Sequence, residues 1–199
     1  MKVPSRIRKH RNPSVTESLQ LGGAVDYSFC TEEAKWRGGE VHYAALLLDQ
    51  GVLVRRSVKK EYRGYLDAYE RGKKETHFIP VEMEGEVYSE ELDIYGHFDR
   101  IGYFANKSLA IADLKTCKMP PATALQLALY GWMKDPSYFW PRFGWELSAD
   151  GRYSFRKWSR STFKSDLEVA KAVVRRAQGK STGSDEHRIA NWKRENHVR

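Results

Sequence analysis

Polar and apolar positions alternate most regularly in the middle of the chain. Residues 78–88 set Val81, Met83, Gly85 and Val87 against Glu82, Glu84, Glu86 and Tyr88, the period of a half-buried strand. Two further runs rich in aromatic and aliphatic residues, 95–104 and 107–115, meet at Ala105-Asn106-Lys107, a hairpin signal in which Asn tolerates the turn. With those three residues as the loop, Phe104 faces Ser108. Counting back along both strands then sets Asp99 directly opposite Asp113.

Helical spacing surrounds this centre. Ser14-x-x-Glu17 is a capping box opening a short helix to about Leu21, which Gly22-Gly23 closes. Thr31 caps a second helix that carries Glu32 and Glu33 in its first turn and ends at Gly51, with Val41, Ala44, Ala45 and Leu48 as its apolar stripe. His42 lies off that stripe, in line with Gly38 and Leu46. Gly38-Gly39 inside a helix costs roughly 1 kcal/mol per residue against Ala, and close approach by another element is the expected reason. Residues 59–71 form a third helix through Tyr62, Leu66 and Tyr69. Beyond the hairpin, Pro120-Pro121 stop the strand and start a helix packed by Leu125, Leu127, Ala128, Leu129 and Trp132, with Gln126 and Tyr130 together on one face. Residues 139–147 and 153–158 are strands around an Asp150-Gly151 turn, and 163–177 is a closing helix with Leu167, Ala170 and Val174 inward. Residues 179–199 are polar and low in aliphatics, which predicts a flexible basic tail with room for a short helix around Trp192. There is no internal repeat and no sign of a second domain.

Composition adds a partner class. With 199 residues, 41% hydrophobic and 30% charged, the chain suits one globular domain. No apolar run reaches the length of a membrane helix, and the charged N-terminus lacks the apolar core of a secretory signal, so a cytoplasmic protein without a membrane partner is expected. The net charge of +8 fits a polyanion, with anionic membranes and plain solubility as rival explanations. Its distribution is uneven: a basic N-terminal segment (1–13) and basic residues over 152–176 flank an acidic centre from Glu82 to Asp99. That arrangement suits an enzyme that holds phosphates while a metal does the chemistry. Cys30 and Cys117 have no metal-ligand spacing and indicate neither a zinc site nor a disulfide framework.

The chemistry concentrates in the hairpin. Asp99 and Asp113 facing each other repel, and strand period two puts Lys115 on the face of Asp113 while Ala110, Ala112 and Leu114 point away. A hard divalent cation, Mg²⁺ or Mn²⁺, would resolve the repulsion. Glu84 and Glu86 could reach the metal region, but their alternation fits a solvated strand face better.

Gly39-Glu40-Val41-His42, Gly96-x-x-Asp99, Asp113-Leu114-Lys115 and Gln126-x-x-x-Tyr130, in that order with these elements between them, resemble the PD-(D/E)XK nuclease superfamily, in its RecB-type and phage exonuclease-like branch. The resemblance runs from about residue 14 to 158. The literal Pro-Asp is absent, since Phe98 precedes Asp99. The resemblance implies a restriction-endonuclease-like α/β core: a central mixed sheet flanked by helices, one domain over 1–178. It implies metal-dependent hydrolysis of DNA, with His42, Asp99, Asp113 and the Leu114 carbonyl holding Mg²⁺ or Mn²⁺. Lys115 would orient or deprotonate the attacking water, its pKa lowered by neighbouring cations, and Gln126 and Tyr130 would fix the site and the strand. An exonuclease of phage or prophage recombination or DNA processing is the implied type, with a recombination or replication protein as a partner. A restriction- or repair-type endonuclease and a non-catalytic binding module are the alternatives. Some RecB-type relatives carry an iron–sulfur cluster on four cysteines, which two cysteines cannot supply. Arg156, Lys157 and Arg160 are candidate DNA contacts, and Trp158 and Tyr153 are candidates for stacking on bases or for the core.

Overall fold

The computed structural model describes residues 12–28, 30–105 and 107–198. Almost all of the predicted basic N-terminal segment and Asn106 of the hairpin turn lie outside the described residues. The chain enters through α1 (Val15–Leu21), whose Ser14–Glu17 capping box forms in both directions. Gly22 ends it where a Cβ would sit 2.3 Å from the Val173 carbonyl, so only glycine lets this turn close on the later helix. Helix α2 (Glu32–Asp49) starts at Thr31, whose hydroxyl accepts from the Ala34 amide. Helix α3 (Arg63–Thr76) begins later than its periodicity predicts, because Lys60–Tyr62 form a 3-10 turn first.

Three antiparallel strands follow: β1 (Ile79–Ser89), β2 (Ile94–Tyr103) and β3 (Leu109–Lys115). Helix α4 (Thr123–Lys134) then crosses over to β4 (Arg142–Leu147), parallel to β3, and β5 (Tyr153–Trp158) returns antiparallel. The sheet is therefore mixed, with order β1-β2-β3-β4-β5. Helices α5 (Phe163–Ala177) and α6 (Gly183–Glu195) close the chain. Two apolar clusters sandwich the sheet. One joins α1, α4, α5 and α6 to Ile94, Phe98, Ile101 and Ile111; the other joins α2 and α3 to Ala110, Ala112, Leu114 and Trp145. The result is a single-domain α/β fold with helices on both faces of the sheet. Among the described residues, no helix is long and apolar enough to cross a membrane.

The expected flexible tail is corrected. Residues 183–195 are a capped helix whose Ile189 and Trp192 are buried in the first cluster. Asp185 ties it down through both nitrogens of the Arg175 fork. Two large apolar side chains and one buried ion pair fix this segment, which averaging over its polar composition hides. The aromatic candidates are mostly core as well: Trp158 packs against the first cluster and Tyr153 against the second, and the Tyr153 hydroxyl donates to Glu75 at 2.6 Å.

Candidate functional site

The three-residue loop sets the hairpin register as counted, with Tyr103 opposite Leu109 and Arg100 opposite Ala112. There the ladder stops, one step short of Asp99 and Asp113. Strand β3 continues against β4 through Lys115 and Glu146, so its last residues have a partner on one side only. In a strand, backbone groups of alternate residues point to opposite neighbours, and Leu114 is left facing the departed β2. Its amide donates to Asp99 Oδ2 at 2.7 Å, and its carbonyl lies 2.8 Å from His42 Nε2. Two of the candidate side chains thus take over the bonds that a paired strand would have made.

A carbonyl only accepts, so His42 carries its proton on Nε2 and turns Nδ1 towards Asp99 Oδ1, 3.3 Å away. Burial alone would lower the His42 pKa, but the Asp99 carboxylate outweighs it and the net shift is upward. Burial likewise opposes ionisation of Asp99, yet His42, Lys115 and the Leu114 amide hold it well below the usual carboxylate range. The Leu114 carbonyl, expected as a metal ligand, here orients the imidazole, the usual support for a histidine that binds metal through its other nitrogen.

Asp113 is buried, and its Oδ1 accepts from Lys115 Nζ at 2.8 Å. Its Oδ2 is buried with no hydrogen-bond partner. Burial pushes the Asp113 carboxyl up to about 6, Lys115 working against that and the Asp99 charge adding to it. Burial would lower the Lys115 pKa, but Asp113 and Asp99 more than offset it and raise the ammonium above its ordinary value. Within the protein itself, the charges nearest this lysine are therefore anions.

Glu84 takes the lesser of its two sequence readings, the reach to the metal region over the solvated face. Ligand atoms of His42, Glu84 and Asp99 all lie within 4.8 Å of one another. Glu84 has φ +53°, a left-handed conformation costly for a side chain of this size. On either side of it, Met83 pairs with Arg100 and Gly85 with Phe98, and the Phe98 ring lies over Gly85, where a Cβ would be 2.1 Å from Cζ. The break in strand alternation at Glu84 and Asp99 turns both carboxylates to the His42 side. Arg100 holds Glu84 there, Nη1 donating to Oε1 at 3.0 Å. Arg100 is itself fixed by Asp49, which accepts from Arg100 Nε at 2.6 Å and the Tyr69 hydroxyl at 2.8 Å and also bonds Lys73. Period two alone does not register this reversal at Glu84.

Gln126 and Tyr130 are both buried, with Gln126 Nε2 donating to the Tyr130 hydroxyl at 2.9 Å. Burial pushes the Tyr130 phenol up to about 12, with Lys115 and Asp113 near enough to act on it. Gly96 makes room for this ring, since a Cβ there would be 2.4 Å from Tyr130 Cε1. The basic candidates do not form one patch. Arg156 lies in the cross-strand row of Asp113, with Gly144 between them. Lys157 lies over the Phe143 ring on the other face, and Arg160 bonds Ser108 at the start of β3. There it lines an open cleft of about 570 Å³ with Lys107, Lys134 and Tyr138, away from the carboxylates.

The donor set fits a hard divalent cation. The cluster offers carboxylate oxygens from Asp99 and Glu84 and one imidazole nitrogen; Asp113 is not part of it, but its unpartnered Oδ2 is a separate buried acceptor that a cation would satisfy.

No protein-family model matches the chain, and no curated protein matches it. Among solved structures it is similar to a protein of Eubacterium rectale described as a "putative exonuclease", with a TM-score of 0.55 and 10% identity, covering 94% of this chain and 93% of that one. At that identity the likeness is one of fold, and it extends over nearly the whole of both chains.

Proposed function

We propose that the chain is a Mg²⁺- or Mn²⁺-dependent deoxyribonuclease that hydrolyses phosphodiester bonds from DNA ends. The observation that carries this is the Asp113 carboxylate, buried, bonded to Lys115 through one oxygen and without a donor on the other, and near enough to Asp99 and His42 for their charges to act on it. The fold shared with a protein described as a "putative exonuclease" supports the same reading. His42 Nδ1, Asp99, Asp113 and Glu84 would hold the ion, which when bound lowers the pKa of water and neutralises charge on the scissile phosphate. Lys115 Nζ, held 2.8 Å from Asp113 Oδ1, would orient the attacking water and offset the charge building on the phosphate. Gln126 and Tyr130 wall the site on the α4 side. Arg100 and Asp49 lock Glu84 in its strained conformation. A role in phage-type recombination or DNA processing follows from the sequence resemblance.

End-labelled linear DNA and closed circular DNA, each with Mg²⁺, Mn²⁺ or EDTA, test the proposal. Linear DNA should be degraded with either metal and spared in EDTA, while closed circles persist. Degradation that survives EDTA would overturn the metal requirement, and equal attack on circles would make the protein an endonuclease.

A further inference from the structure

Glycine weakens a helix, and Gly38-Gly39 sit in the middle of α2 without serving the packing of this chain. A Cβ at Gly39 would have nothing within 4 Å, and one at Gly38 would meet the Thr116 hydroxyl at an ordinary 3.8 Å. The expected close approach by another element is therefore absent among the described residues. Both glycines lie one turn before His42, at i−4 and i−3, so a helix surface stripped of side chains leads directly to the imidazole.

Arg37 borders this surface. Its Nη2 reaches the Thr116 carbonyl across a long 3.4 Å, and its guanidinium stands 5.8 Å from the centre of the Tyr65 ring. Its Nε is buried with no hydrogen-bond partner, and no carboxylate pairs with it among the described residues. Thr116 follows Lys115 in the chain, so this half-used guanidinium stands where the catalytic strand ends. A guanidinium with spare donors matches phosphate oxygens, and glycine suits a place where a ligand's backbone must come close.

We infer that Arg37, Gly38 and Gly39 form the track on which a phosphodiester backbone reaches the site. Arg37 contacts a phosphate beside the scissile one, and the two glycines give the strand room next to His42. This rests on the nuclease reading above and adds the surface through which the substrate enters. The occupant is a nucleic-acid backbone because the track combines an uncompensated cation with bare helix and leads to carboxylates that would hold a metal at a phosphate.

The test uses Gly39→Leu, Arg37→Ala and Arg37→Lys, with duplex binding followed by fluorescence anisotropy in EDTA, so that nothing is cut. Gly39→Leu should melt higher than wild type, since leucine is the better helix former, yet bind DNA about tenfold more weakly, the scale of one lost good contact. Arg37→Ala should weaken binding to all sequences alike and reduce the slope of log affinity against log salt by about one, with Arg37→Lys recovering the slope. All three should keep the Mn²⁺-induced rise in melting temperature, because none is a ligand. If Gly39→Leu folds, binds and cuts like wild type, the track is overturned while the nuclease reading stands. Loss of the Mn²⁺ response in Gly39→Leu would also overturn it, by placing the damage at the metal centre. Wild-type protein that neither binds nor cuts DNA would overturn the nuclease reading, and the track with it.

Discussion

Asp185 at the start of α6 and Asp113 near the end of β3 are almost equally buried, 1% and 3% exposed, and their surroundings drive them apart. Asp185 accepts from Arg175 Nη2 at 2.6 Å and Nε at 3.1 Å, and from the amide and hydroxyl of Thr182, both at 3.0 Å. The Arg175 bonds above all hold its pKa well below the carboxylate range, against the effect of burial. Asp113 has one ammonium on Oδ1 and nothing on Oδ2, and burial dominates. Depth of burial therefore does not separate a carboxylate that holds the fold together from one left open to a ligand. The number of donors aimed at it does. Asp49, with Arg100, Lys73 and Tyr69 all bonded to it, belongs with Asp185.

Asp113→Asn should produce the largest effect. The amide keeps the shape but weakens a ligand and removes the charge that holds Lys115 in place. Loss of one preorganised electrostatic contact typically costs about 10²–10³ in rate, so cleavage of linear DNA should fall by at least that factor. The variant should still fold, and Mn²⁺ should raise its melting temperature less than that of wild type. Cleavage persisting in well-purified Asp113→Asn would remove the functional half of the comparison.

Asp185→Asn should do the reverse. Losing charge-assisted bonds to Arg175 and part of the α6 capping box should cost about 2–3 kcal/mol of stability. Cleavage per folded molecule should stay at the wild-type level. Urea unfolding with unchanged slope gives the first quantity, and specific activity at low temperature gives the second. A stable Asp185→Asn would mean that α6 is held by Ile189 and Trp192 alone.

The two regions also differ in how far the sequence exposes them. The hairpin register was legible because loop length sets it, and the shared face of Asp113 and Lys115 follows from period two, but the break in pairing at Asp99 does not. The caps at Ser14 and Thr31 were legible because each is a local bond between residues three apart. Glu84 was legible only as a lesser reading, because its approach depends on a backbone reversal that breaks the alternation used to place it. The docking of α6 was hidden for a related reason: Ile189, Trp192 and Asp185 are three residues in a polar stretch, and their partners lie on α5 and in the core. The elevated Lys115 pKa needs the distances between charges, which spacing along the chain does not supply.

The smallest effect is the pH dependence of these two stability differences, and its sign separates the carboxylates. Stability rises with pH wherever the unfolded chain binds more protons than the folded one. Asp185 has a folded pKa below the ordinary value of about 3.9. Between the two values the unfolded chain holds the proton, so the contribution of Asp185 is complete above about pH 4 and is lost as pH falls through its folded value. Asp113 runs the other way. Its folded pKa is about 6, so between about pH 4 and that value the folded protein keeps a proton that the unfolded chain releases. The ionised Asp113 therefore burdens the metal-free fold fully above that range and not at all below it. In EDTA, Asp113→Asn should melt above wild type near neutral pH, and the difference should shrink towards zero as pH falls to about 4. The deficit of Asp185→Asn should stay level over the same range and shrink only at more acid pH. Thermal unfolding of the three proteins from neutral pH down to about 3 reads both differences. An Asp113→Asn difference that is flat with pH would mean that Asp113 is as well satisfied in the metal-free fold as Asp185, and the contrast between them would disappear.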